Sequence, residues 1–170
     1  LASISVDLDN DQVTKSSDLQ IDDYADIENV LGSGFDDSFM FDAANLLAID
    51  TQFDSLDGGA EDVGGDTVNV TGSVTFDGLE MASVFDNIEN IDFTSASLDA
   101  GNTEFTISGD DVSSMMGASN FLHIDASLGF TIDVVAGTHV LDVPGGTVID
   151  ASTTQYSFDG GSFTLEVQTA

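Results

Sequence analysis

The sequence predicts an all-β fold: a partly parallel β-solenoid, β-roll-like in its coils, running from about Val6 to Ile107 and closed by an antiparallel C-terminal portion through Val167. Three observations carry this expectation. Apolar and polar residues alternate in short runs, glycine- and aspartate-rich turn signals separate the runs, and an Ile-Glu-Asn step occurs twice, at Ile27-Glu28-Asn29 and Ile88-Glu89-Asn90. Alternation does not distinguish a stacked coil from a hairpin sheet, so a β-sandwich stands as the alternative.

The first run, Ile4-Ser5-Val6-Asp7-Leu8, reads as an apolar N-terminal strand. In Asp66–Phe76 the residues Val68, Val70, Val74 and Phe76 share one face with Gly72, and Thr or Asn stands opposite, the pattern of a half-buried strand. The same period runs through Glu104–Ser108, Phe121–Ala126, Phe130–Val135, His139–Val143, Gln155–Phe158 and Ser162–Val167. Turns are predicted at Asp57-Gly58-Gly59, Gly64-Gly65-Asp66, Pro144-Gly145-Gly146 and Asp159-Gly160-Gly161. Two short helical connectors are expected, at Asp42–Ala48 and at Asp110–Gly117, the second with an acidic N-cap and a glycine stop. The two Ile-Glu-Asn steps read as equivalent entries into related submodules, Ile packing inward and Asn holding a bend. The chain therefore reads as one β domain, 1–170, with submodules 1–76 and 77–170; coincidence among common residue types is the plainer reading of the echo.

A chain of 170 residues buries roughly 70% of its unfolded surface, and 41% hydrophobic residues with 12 Phe supply a core. Thirty-two acids face a single Lys, for a net charge of −31. Carboxylates in such a chain are screened by salt, bound by cations or left to repel one another. Nucleic acid and anionic membranes are excluded as partners, because both require Lys and Arg to replace phosphate counterions. Divalent cations are the natural ones. There is no Cys, hence no disulfide framework or thiolate site. No apolar stretch approaches the ~18 residues of a membrane span, and no membrane insertion is expected.

Three groups of aspartates are candidate calcium ligands. Asp7, Asp9 and Asp11 recur at every second residue, a spacing that lets a turn wrap oxygens around one hard ion; a charged strand face gives the same alternation. Asp36 and Asp37 follow Gly32 and Gly34, and adjacent carboxylates without cations need solvent or metal. Asp57, Asp62 and Asp66 lie among paired glycines, and a solvated loop is their plain reading. His123 and His139 stand far apart in sequence with no Cys nearby and read as ordinary strand residues rather than transition-metal ligands. No nucleophile elbow and no phosphate-binding glycine loop with lysine is present, so the chain reads as non-enzymatic.

Ile4-Ser5-Val6-Asp7-Leu8 followed by Ile27-Glu28-Asn29-Val30-Leu31-Gly32-Ser33-Gly34-Phe35-Asp36-Asp37 resembles the lead-in to the hemolysin-type calcium-binding repeats of type I-secreted RTX proteins. Asp86-Asn87-Ile88-Glu89-Asn90-Ile91-Asp92-Phe93-Thr94, Asn102–Ser108 and Gln155–Val167 are similar to a module near the C-terminal ends of large RTX surface adhesins. The resemblance implies export without an N-terminal signal, calcium-dependent folding and an extracellular, cell-surface location; Phe163–Ala170 resembles the family's C-terminal export signals. It makes Asp57, Asp62 and Asp66 the most family-like site. The chain departs from the family's nonapeptide in that Glu61 stands where glycine is expected. A long ladder of ions is therefore not expected, but one or a few calcium sites are, between Asp36 and Asp66, with mainly packing after Ile88.

Three functions follow as expectations: a calcium-stabilised structural or adhesion module of a surface or biofilm-matrix protein; a self-assembling filament or S-layer subunit in which the strand Leu1 to Leu8 pairs with a neighbour's sheet edge; or a non-catalytic C-terminal module of a secreted RTX enzyme.

Overall fold

The computed structural model describes residues 4–7, 12–15, 21–23, 29–43, 55–60 and 64–169. In chain order the strands are β1 (Ile4–Asp7), β2 (Gln12–Lys15), β3 (Ile21–Asp23), β4 (Asn29–Leu31), β5 (Ser38–Asp42), β6 (Ser55–Asp57), β7 (Thr67–Val74), β8 (Phe85–Asp86), β9 (Asn90–Leu98), β10 (Phe105–Ser108), β11 (Phe121–Ala126), β12 (Ile132–Val135), β13 (Thr147–Val148), β14 (Thr153–Phe158) and β15 (Phe163–Thr169). Helix α1 (Gly78–Ala82) precedes β8, and helix α2 (Gly109–Met115) follows β10. The fold is mostly β, with both parallel and antiparallel pairings.

One ten-stranded sheet has the order β13-β14-β15-β11-β9-β7-β5-β1-β2-β3. Its six central strands, β15 to β1, pair in parallel, and antiparallel strands flank them on both sides. Register explains the alternation read in the sequence. Val6, Phe39, Val68, Ile91, Ile124 and Val167 are aligned across those six strands, and all are buried. A one-residue slip in any strand would turn its apolar set to solvent, so burial holds the register. A second, parallel sheet in the order β4-β6-β8 aligns Val30, Leu56 and Phe85, also buried. Strands β10 and β12 form a third, parallel pair. Phe93 lies against Phe105 and Phe130, with ring centroids 5.1 and 4.8 Å away, in the offset and tilted arrangements that aromatic quadrupoles favour.

Several expectations are corrected. Parallel pairing does not stop near Ile107: β11 and β15 continue it, because Leu122, Ile124, Leu165 and Val167 supply the same inward row. Antiparallel pairing occurs at the N-terminal side as well, in β1-β2-β3. His139–Val143 is no strand; it is a turn and loop making one isolated bridge, Leu141 to Phe158. The N-cap of α2 is Ser108 rather than an acid, with the Asp111 carboxylate accepting the Ser108 N–H at 2.7 Å. Asp42 ends β5, and 44–48 of the expected first helix lie outside the described residues. Helix α1 was not anticipated, although Asp77-Gly78-Leu79-Glu80 carries a full capping box.

The strand expected to seek a neighbour's sheet is already occupied. β1 bonds to β2 on one edge and β5 on the other, so Ile4–Asp7 offers no open edge. Leu1 and Leu8 lie outside the described residues.

Candidate functional site

Each strand of the β4-β6-β8 sheet runs through a turn into its successor in the large sheet, so three turns lie side by side: Gly32–Asp37, Gly58–Asp66 and Asn87–Glu89. Residues 61–63 of the second lie outside the described residues. Backbone bonds fasten each turn to the next. Gly32 N donates to Asp57 O at 2.7 Å, Gly58 N to Asp86 O at 2.9 Å, Thr67 N to Asp37 O at 2.9 Å and Asn90 N to Asp66 O at 2.9 Å.

Side chains repeat the pattern. Asp37, Asp66 and Glu89 each immediately precede a strand of the large sheet, and all three are buried, at 2%, 1% and 6% exposure. Asp37 N donates to Asp66 Oδ1 at 2.7 Å, and Asp66 N donates to Glu89 Oε2 at 2.9 Å. Asp37 in turn accepts from the N–H and hydroxyl of Ser33. Buried carboxylates are costly unless hydrogen-bonded, and here each receives backbone N–H groups left over at the start of a strand.

The exposed acids use glycine pairs for the same purpose. Asp36 Oδ1 accepts from Gly64 N and Gly65 N, both at 3.1 Å. Asp57 Oδ1 accepts from Gly59 N at 2.9 Å and Asn87 Nδ2 at 2.8 Å. In the C-terminal half, Asp142 accepts from Gly160 N at 2.7 Å and Gly161 N at 2.8 Å. Successive glycine N–H groups form an anion-receiving concavity, and the Gly64-Gly65 and Gly160-Gly161 steps receive the chain's own carboxylates in this way.

Two glycines mark places where oxygen crowds oxygen. A Cβ on Gly32 would collide with Gly58 O and Asp37 Oδ2, and one on Gly58 with Asn87 O and Asp66 Oδ2. At each, a backbone carbonyl and a buried carboxylate oxygen approach the glycine closely. These are hard oxygen donors, the kind calcium takes, and the approach is possible because there is no side chain. Among the described residues no three acidic or imidazole side chains converge on one point able to hold a metal. The carboxylates are spread one to a turn, so an ion here would complete its 6 to 8 oxygens from carbonyls and water.

The structure therefore joins two of the sequence-derived groups. Asp36 and Asp37 lie in the turn stacked on the one that follows Asp57 at the end of β6 and closes at Asp66. Asp7 is not brought to it: the row begins beside Ile4, and Asp7 stands opposite Met40, about 10 Å along the strand. Asp9, Asp11 and Asp62 lie outside the described residues. Glu89 was missed as a site residue. The signal was present in the Ile-Glu-Asn echo, since Glu89 precedes Asn90 as Asp66 precedes Thr67, but only register equates them.

A second polar cluster surrounds the histidines. His123 Nδ1 lies 3.1 Å from Glu166 Oε1 and Nε2 lies 3.1 Å from Asp125 Oδ1. His139 Nδ1 lies 2.6 Å from Asp159 Oδ2, and its Nε2 is 3.7 Å from Asp110 Oδ1. The bond from His139, then that from Val140 N, holds the Asp159 carboxyl below its ordinary value. Asp110 is lowered by the hydroxyl of Thr138 first and its N–H second. Each imidazole has its carboxylates on opposite ring nitrogens, which is bridging geometry and not that of a shared metal. Comparison of the chain with known protein families, curated proteins and solved structures returned no match.

Proposed function

We propose that this chain is a non-enzymatic, calcium-stabilised structural or adhesion module of an extracellular, type I-secreted, RTX-like surface protein. The observation that supports it is the buried row Asp37, Asp66 and Glu89, set at successive turns of a chain with one Lys. Carboxylates on neighbouring turns repel, and a chain with a single Lys against 32 acids has little positive charge of its own to offset that repulsion. Calcium ions, each held by one of Asp37, Asp66 or Glu89 with carbonyls such as those of Gly58 and Asn87 and with water, and with Asp36 and Asp57 nearby, would supply positive charge at the turns. The finer architecture follows the same reading: β4–β5, β6–β7 and β8–β9 are successive coils of a partly parallel solenoid, and their turns are the ion-binding edge.

Removal of calcium tests the proposal. Chelation is expected to lower the thermal midpoint of the full chain by roughly 10 °C, a loss of about 3–4 kcal/mol in a domain of this size. Asp66→Asn is expected to remove most of that calcium response. An unfolding curve identical with chelator and with millimolar calcium would end the calcium reading. Among assemblies, the module reading is favoured over the filament because the outer strand β13 of the large sheet has two residues, and short edges discourage strand addition.

A further inference from the structure

We infer that the chain pairs with a second copy of itself, tail to tail, through an apolar ridge at the C-terminal end of the stack. Residues 140–149 run antiparallel along the outer edge of β14. Asp159 N donates to Val140 O, Asp142 N to Ser157 O and Ile149 N to Thr153 O, each at 2.9 Å, while Leu141 bridges Phe158 and Val148 stands opposite Thr154. The segment is thus pinned along the six residues of β14, about 20 Å, and the order of the large sheet ends with it at β13. Val140, Val143, Val148 and Ile149 are exposed, from 48% at Val143 to 71% at Val148. They are four of the ten large apolar residues exposed among the described residues. A stack of repeats ordinarily ends on a polar face that keeps it soluble, so a run of bare aliphatics there marks an interface.

Charge selects the occupant. From Val134 to Ile149 the sequence holds one acid, Asp142, where the whole chain has 32 in 170 residues. Asp142 turns its carboxylate to the N–H groups of Gly160 and Gly161, and Asp150, the next acid, accepts from Ser152 N at 2.8 Å and Thr153 N at 2.9 Å. Asp159, beside Val140, accepts from Val140 N and lies against His139. Two copies that each carry −31 repel wherever acidic faces meet. The ridge instead brings them together over apolar side chains, with the nearby carboxylates already tied to their own chain. A two-fold contact meets this condition on both sides, because it sets the same ridge against itself. A head-to-tail contact does not: the strand at the opposite edge of the sheet, β3, is Ile21-Asp22-Asp23, and covering it would desolvate acids. With two residues in β13, the contact is made by side chains rather than by strand addition, and one ridge a side makes it small and weak. The dimer is closed, so it is compatible with the surface-module reading and does not depend on bound calcium.

Sedimentation equilibrium of the full chain, in chelator so that calcium bridging plays no part, tests the pairing. In about 1 M NaCl, where the screening length is roughly 3 Å, the mass is expected to rise from 17.7 kDa toward twice that value between about 10 μM and 1 mM chain, the range of weak contacts. It should stop there, because a two-fold contact leaves no second ridge free. In about 0.01 M NaCl the pairing should weaken, since the net charges of the two copies are then poorly screened. Val148→Asp should weaken the dimer roughly tenfold or more by placing a carboxylate of each chain at the contact. Leu128→Asp, at a residue 87% exposed in the turn after β11, should leave it unchanged. Amide protection of the wild-type chain should rise with concentration in 140–149. A mass of one chain throughout the range in high salt, growth beyond two chains, or equal weakening by the two substitutions would overturn the inference. The wild-type mass decides the matter even if a variant fails to fold, and thermal unfolding indifferent to chelator would leave that result untouched.

Discussion

Asp159 shows how a single residue in this chain manages its charge. It sits in the β14–β15 turn at φ 52°, a left-handed conformation that Asp tolerates because its short side chain bonds locally. Here the carboxylate accepts from Val140 N at 2.9 Å and from His139. Because its folded pKa lies below the ordinary 3.8, its contribution is present above that value and fades as pH falls through the depressed one. Amide protection in 138–142 and 158–162, corrected for the intrinsic exchange rate at each pH, is therefore expected to fall below about pH 4. Asp159→Asn should already show the faster exchange at pH 6, and equal exchange in the two proteins at that pH would refute the assignment. Asp110, lowered through Thr138, and Asp150, lowered first through Ser152 N, act in the same direction.

At the scale of elements, the helices show where local chemistry suffices. Helix α2 has seven residues, too few to persist alone. Ser108 accepts the Asp111 N–H at 3.2 Å, and Val112 and Met115 bury the inner face. Gly109 is needed at its first position because a Cβ there would meet Ala136 O and the Phe158 ring. Ser108→Ala is expected to cost about 1–2 kcal/mol in urea unfolding, and a change below a few tenths would show that packing alone holds α2. The strands behave differently. Phe121–Ala126 was legible to the residue because alternation marks inward positions, whereas His139–Val143 alternates equally well and forms a loop. Alternation records a preference for one buried face, and His139 and Asp142 instead found partners at the next turn.

Across the whole molecule, the net charge of −31 acts against compaction, since like charges repel and most acids among the described residues are at least partly exposed. Raising NaCl from about 0.01 to 1 M shortens the screening length from roughly 30 to 3 Å. The thermal midpoint is expected to rise over that range even with chelator present. A midpoint indifferent to NaCl would mean that local N–H donors, rather than screening, already compensate the carboxylates. Calcium at matched ionic strength should raise the midpoint further only if ions occupy the turns. Residues on both sides of the expected boundary at 76/77 contribute to the same sheet, with β7 bonded to β9, so a charge or ion effect at the turns reaches both halves.

The sequence by itself determined the β class, the inward residues of most strands, the turns and the surplus of acid, because each follows from local alternation, turn chemistry or composition. It also pointed to Asp36, Asp37, Asp57 and Asp66, since glycine beside aspartate is a local signal. Only the tertiary structure decided that these lie in adjacent turns, that Glu89 belongs with them, that β1 is an interior strand, and that the two histidines bridge acids distant in sequence. Those facts depend on which strand lies beside which and in what register. Register is decided by the joint burial of six aligned apolar residues from strands spread between Val6 and Val167, and no window of neighbouring residues contains that information.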